Sequence, residues 1–223
     1  AVIWDGSPHS PFEASEEDIA PFKDLDKNSQ KHYAELVAFD RSVGVLRKTL
    51  RDLKIADNTM VWFCSDNGGL PKIKPTTVGN LRGNKGTVYE GGLRVPAILE
   101  WPAGIKPRIT KYPSSTMDIF PTIADLLGLP QDNFLKPVDG ESLKALFTKD
   151  LKRRENAIPF RYQTKGALVD NNFKLVASNV QKNAFALYDL ATDPGETKDI
   201  SKKSTEQFQK MTAHYPKWYQ SVE

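Results

Sequence analysis

The sequence predicts an α/β fold, a partial mixed sheet flanked by helices, followed by a small antiparallel sheet with a packed helix. Three observations carry that expectation. A long stretch of helical apolar spacing leads into a short, wholly apolar run at 59–64. A second strand pattern follows at 93–101. Beyond a charged run at 149–155 the texture changes to short β-rich segments separated by turn residues. That run divides the chain into a larger part, 1–150, and a smaller one, 151–223.

Each element follows from its residues. Ala1-Val2-Ile3-Trp4 before Asp5-Gly6 reads as a strand entered part-way, as if the chain began inside a longer protein. Pro8, Pro11 and Pro21 prevent a long helix over 7–29. From about Gln30, the residues Tyr33, Leu36, Val37, Val43, Leu46, Leu50 and Leu53 recur at three- and four-residue steps, which predicts an amphipathic helix ending near Lys54. The run 59–64 is continuous and rich in β-formers, the pattern of a strand covered on both faces inside a parallel sheet.

A glycine-rich connection spans 65–92, and Pro96 interrupts the strand that follows. Helices are expected at 118–127, with Pro121 in the first turn and Gly128 as the stop, and at 139–147. Strands at 157–162, 167–169, 173–177 and 185–190 form an antiparallel meander. A helix over 205–219 presents Phe208, Met211, Tyr215 and Trp218 to it, with Pro216 interrupting it or bending its end.

Composition excludes several classes. With 31 Lys+Arg against 28 Asp+Glu in 223 residues, the net charge of +3 is too small to argue for nucleic acid. Hydrophobic residues at 39% suffice for a packed core. Mean hydropathy is −0.49, and no apolar run approaches the roughly 20 residues a membrane helix needs. The one cysteine, Cys64, permits neither an internal disulfide nor a cysteine-based zinc site.

Three segments could carry chemistry. Asp66 and Asn67, in Ser65-Asp66-Asn67-Gly68-Gly69 just after the apolar run, offer hard oxygen ligands to Ca²⁺ or Mg²⁺, although the same residues make a good turn. Lys85, in Arg82-Gly83-Asn84-Lys85-Gly86-Thr87, is flanked by glycines that let backbone approach an anion; a solvated basic loop is the competing reading. His9, in Ser7-Pro8-His9-Ser10-Pro11, could bind an anion or supply a proton, or be an ordinary loop histidine. His32 and His214 fall on expected helices as surface or packing residues.

Taken together, these segments resemble the sulfatase family of the alkaline phosphatase superfamily. The resemblance runs through Pro8-His9-Ser10-Pro11-Phe12, residues 57–69, residues 81–96, Met117-Asp118-Ile119-Phe120-Pro121-Thr122 and residues 187–197. It implies a partial alkaline-phosphatase-like fold. It implies that Asp66 and Asn67 complete a divalent cation site, usually Ca²⁺ (or Mg²⁺), that Lys85 contacts the sulfate, and that His9 lies against the sulfate or leaving oxygen. Glu90 and Arg94 match a recurrent pattern and read as scaffolding.

The resemblance further implies a formylglycine nucleophile made from a Cys/Ser-x-Pro-x-Arg motif. Cys64 is followed by Ser65-Asp66-Asn67, so it is not that residue, and no such motif occurs in the chain. The nucleophile and the paired metal-binding aspartates are therefore expected in an N-terminal half of the same protein, which becomes a partner of this chain. The implied substrate is a sulfated small molecule or sulfated glycan. Export to periplasm, lysosome or the exterior is the family's habit. Two alternatives stay open: a phosphonate or phosphate ester hydrolase of the same superfamily, or a non-catalytic folding or binding module.

Overall fold

The structure is a computed structural model that describes residues 1–130, 132 and 134–222. The chain divides into two compact units. The first comprises Ala1–Ser65, Gly69–Gly79 and Pro96–Gly104; the second comprises Asp66–Gly68, Asn80–Val95 and Ile105–Glu223.

In the first unit a short helix α1 (Glu16–Ile19) precedes the 26-residue helix α2 (Lys27–Asp52). Asp26 caps α2, its carboxylate accepting from the N–H groups of Asn28 and Ser29, so the helix starts earlier than apolar spacing alone indicates. Arg41, on α2, pairs with the buried Asp18 of α1. Strand β1 (Val61–Cys64) pairs antiparallel with β2 (Ala97–Glu100), and Arg47 reaches from α2 to Glu100 at 2.7 Å.

Two sequence expectations change here. β1 is half-buried along its length, not fully covered, and its partner among the described residues is antiparallel. Residues 1–4 form no strand, because none of the described strands offers them a ladder; Val2 is 80% and Trp4 90% exposed.

The second unit is built on a four-stranded antiparallel meander: β3 (Ile158–Tyr162), β4 (Lys165–Asp170), β5 (Phe173–Ala177) and β6 (Phe185–Asp189), in that order. Strand alternation gives the sheet two different faces. Leu168, Leu175 and Leu187 pack with Met211 and Tyr215 of the terminal helix α5 (Thr205–Ser221). Ala167, Val176 and Tyr188, one residue out of phase, pack with Val88, and with Tyr89 and Leu93 beside it. Pro216 sits inside α5, which continues to Ser221.

The same unit holds two further helices, α3 (Glu90–Leu93) and α4 (Ile119–Leu126), the latter stopped at Gly128 with φ +65°. α3 occupies what the sequence indicated as the start of a strand, which begins only at Ala97. The helix expected over 139–147 is reduced to a single 3₁₀ turn at Lys144–Phe147. The buried Asp118 takes the N–H of Glu141 at 2.9 Å, and Thr122 takes that of Leu143 at 2.9 Å, so these donors are held by side chains and not by helical carbonyls. Residues 149–155 lie inside this unit, where Arg154 is wholly buried.

Candidate functional site

Residues 65–96 connect the paired strands β1 and β2, and this connection carries three of the four site residues indicated by the sequence. Asp66 and Asn67 leave the end of β1; Asp66 is exposed and Asn67 half-buried. Lys85 is half-buried on the loop 82–92. Both segments belong to the second unit, and the Gly68 N–H donates to the carbonyl of Gly92 at 2.9 Å, tying the acid–amide pair to the base of the lysine loop.

Glycine makes that junction possible. A Cβ on Gly68 would collide with the carbonyl of Gly91, and a Cβ on Gly91 with the carbonyl of Gly83. Both obstructions are backbone, which cannot swing aside as a side chain could. The loop closes on itself as well. Thr87 N–H donates to Asn84 O at 3.0 Å, Thr87 Oγ1 donates to the same carbonyl at 2.8 Å, and Gly91 N–H donates to Arg82 O at 2.8 Å. Gly83 and Gly86 take φ of +76° and +85°, a region open chiefly to glycine.

The loop is also gripped from outside. Arg82 donates to the Glu196 carbonyl at 2.9 Å and to the Tyr188 hydroxyl at 3.2 Å, and it lies over the Tyr89 ring at 3.9 Å. Lys165 Nζ donates to the Gly86 carbonyl at 2.6 Å. Beneath the loop, Lys174 Nζ, wholly buried, donates to Glu90 Oε1 at 2.7 Å and stands 3.0 Å from Glu196 Oε1. Glu196 Oε2 accepts the Glu90 N–H at 2.6 Å. Burial raises the Glu196 carboxyl above its ordinary value, and the Lys174 ammonium offsets only part of that rise. Among the described residues Lys85 itself makes no ion pair, so its ammonium is not spent on the scaffold.

His9 lies in the first unit, exposed. Its ring Nδ1 is 2.8 Å from the Ser10 carbonyl, which fixes the proton on Nδ1 and leaves Nε2 as the acceptor in the neutral ring. His32 is buried against Phe12 and Tyr33, and burial lowers its pKa, the behaviour of a packing residue.

The donor set fits a hard divalent cation in kind but not in number. Asp66 and Asn67 supply a carboxylate and an amide oxygen, whereas Ca²⁺ takes about 6–8 oxygens. No group of three or more His, Cys, Asp and Glu capable of holding a metal occurs among the described residues. A hollow of about 690 Å³ in the second unit, lined in part by Tyr112, Lys152, Arg153, Asp170 and Gln207, contains none of the four indicated residues.

Lys174, Glu196 and Arg82 were not indicated as site-related by the sequence reading. A signal existed for the first: a lysine within the apolar run Phe173-Lys174-Leu175-Val176-Ala177 must find a buried counter-charge.

The loop thus presents a lysine that makes no ion pair among the described residues, and its base is hydrogen-bonded to the segment of the acid–amide pair. The chain belongs to the sulfatase family: the family described as Sulfatase matches residues 2–129, and that described as N-sulphoglucosamine sulphohydrolase, C-terminal, matches residues 83–218. It is 30% identical to the N-acetylgalactosamine-6-O-sulfatase of Bacteroides thetaiotaomicron, over 77% of this chain and 38% of that protein. It is 30% identical to human arylsulfatase A, over 74% of this chain and 38% of that protein. Among solved structures, the sulfatase BT33336S-sulf, from work on glycosaminoglycan metabolism by Bacteroides thetaiotaomicron, superposes with a TM-score of 0.82. That match has 26% identity and covers 98% of this chain and 48% of that one. The fold is thus the alkaline-phosphatase-like α/β fold of sulfatases. The chain spans about two fifths of the length of the curated relatives it matches.

Proposed function

We propose that this chain is the part of a sulfate ester hydrolase that neutralises the sulfate, with the nucleophile supplied by sequence outside it. The observation that supports the reading is the Gly68–Gly92 hydrogen bond, which holds the Asp66–Asn67 segment against the loop bearing Lys85. In this reading a sulfated glycan is the substrate class, in line with the N-acetylgalactosamine-6-O-sulfatase among the relatives.

A sulfate ester is already anionic, so a nucleophile meets repulsion before it meets sulfur. An ammonium held at a sulfate oxygen cancels part of that charge, and does so more strongly as charge builds in the transition state. Lys85 fills that role. It stands on a loop whose backbone groups are bonded internally, so little reorganisation accompanies binding. His9 enters through the family resemblance. With Nδ1 bound to the Ser10 carbonyl, a protonated Nε2 would donate to the departing oxygen and spare the alcohol from leaving as an alkoxide. Asp66 and Asn67 would contribute two oxygens to a divalent cation completed by residues beyond this chain. Formylglycine supplies a geminal diol nucleophile in this family; Cys64 lacks the motif that would make it one.

The test is steady-state turnover by the polypeptide containing this chain, on a sulfate monoester and on its phosphate analogue. Lys85→Ala is expected to lower kcat/KM for the sulfate ester by about 10²–10³-fold, as for loss of one oxyanion donor, with an unchanged melting temperature. Normal turnover by that variant would remove Lys85 from the site. Faster phosphate than sulfate hydrolysis by the parent protein would move the reading to the phosphoryl branch of the superfamily.

A further inference from the structure

We infer that Lys174, Glu90 and Glu196 are positioning residues for Lys85, a buried ionic clamp that sets the loop at the height from which its lysine meets the anion. The inference deepens the assignment of Lys85 to the sulfate and rests on it.

Glu196 holds both feet of the loop at once. Its main-chain carbonyl accepts from Arg82, where the loop begins, and its carboxylate accepts from the N–H of Glu90, where the loop turns into α3. Lys174, the second residue of β5, then binds the carboxylates of both Glu90 and Glu196. The sheet, the segment bearing Glu196 and the loop are thereby joined through one ammonium. Lys174 shares its sheet face with Val176 and Tyr188, the face on which Val88 of the loop packs, so the clamp and the apolar contact act on the same stretch of backbone.

Apolar residues of equal volume would fill this space without the cost of burying three charges, and replacing buried ion clusters in that way is often neutral or stabilising. What an apolar core would not provide is direction. The Glu90 N–H has no intrahelical acceptor at the start of α3, and the Glu196 carboxylate takes it, beside the Gly91 N–H bond to Arg82 O. Four residues of chain separate Lys85 from Glu90. A shift of α3 therefore passes directly to the lysine, and misplacement by about 1 Å can cost on the order of 10²-fold in rate.

The experiment compares Lys174→Met, Glu196→Gln and the double variant Lys174→Met/Glu90→Gln in the polypeptide containing this chain, by amide hydrogen exchange and by kinetics. Lys174→Met leaves two carboxylates facing each other, and is expected to speed exchange of the amides of residues 84–92 about 10-fold or more while β4 and β5 keep their protection. Its KM for a sulfate ester should rise and its kcat fall, together lowering kcat/KM about 10²-fold. The double variant removes one carboxylate and should regain part of both losses. A role in global stability alone would instead speed exchange across the whole sheet and lower kcat through an unfolded fraction, with KM unchanged.

Should Lys174→Met fail to fold, the isosteric Glu196→Gln carries the same readouts with smaller changes. Unchanged loop exchange, uniform acceleration across the sheet, or no recovery in the double variant would overturn the clamp. Loop opening together with normal turnover by Lys85→Ala would leave the clamp standing and overturn the assignment of Lys85.

Discussion

Two buried cations in the second unit are handled in contrasting ways. Arg154 meets Asp118 through two bonds of 2.7 Å, and both side chains are wholly buried. The Asp118 oxygens also accept the N–H groups of Ser115 at 2.8 Å and Glu141 at 2.9 Å, and Arg154 Nε donates to the Asn156 carbonyl at 2.6 Å. Both of these bonds go to one fully hydrogen-bonded carboxylate, and Glu141 Oε1 stands farther off, 3.7 Å from the guanidinium. Lys174 instead stands between two carboxylates, and Glu196 Oε1 lies close to it without a directed hydrogen bond. The planar fork of arginine suits a fixed joint; the ammonium, with no preferred plane, suits a junction of three segments. The first cluster knots residues 115–156 together, far in sequence from the indicated site residues. The second lies under the loop that carries Lys85.

That contrast can be broken by mutation. Arg154→Met leaves Asp118 buried without its counter-charge, and should cost about 3–5 kcal/mol in chemical denaturation. A loss below about 1 kcal/mol would show that backbone N–H donors alone satisfy Asp118. The loop should respond more modestly to Gly91→Ala, whose Cβ would press on the carbonyls of Arg82 and Gly83. The expected loss is about 1–3 kcal/mol, with faster amide exchange confined to residues near 82–92. Unchanged stability would mean that the junction is looser than its contacts indicate.

The smallest effect belongs to a third cluster, on the face of the sheet that meets α5. Burial alone would raise the Asp170 carboxyl, but hydrogen bonds from Lys210, Asn171 and Gln207 outweigh it and hold it below its ordinary 3.8. A carboxyl lowered in the folded state stabilises above its unfolded pKa, and that contribution is lost as pH falls through 3.8 toward the folded value. Asp170→Asn should therefore cost about 1 kcal/mol at neutral pH and nothing extra in strong acid. Urea midpoints across that pH range would check it, and parallel profiles for parent and variant would exclude the linkage.

Much of the second unit was legible from sequence because its signals are local. The meander at 157–190 shows alternating apolar residues with turn chemistry at Asp170-Asn171-Asn172, and the observed strands keep that order and pairing. The helix from Gln30 was legible by spacing, although its start was set by the Asp26 cap. The helix expected over 139–147 failed because side chains 20 or so residues upstream captured its backbone N–H groups, a competition that local propensity does not contain. The strand expected over 1–4 failed for a related reason: a strand is only as real as the neighbour that accepts its hydrogen bonds.

The amino-acid order by itself indicated which residue types could meet a hard cation and an anion, Asp66, Asn67, Lys85 and His9, because chemistry of that kind depends on which atoms are present. It also determined the family, through short motifs spread along the chain. Only the tertiary structure decided that Gly68 locks onto Gly92, that Glu196 grips both feet of the lysine loop, and that Lys174 draws Glu90 and Glu196 together. Those partners are separated by up to 114 positions, and a buried charge chooses its counter-ion by proximity in space, which no local stretch of sequence encodes.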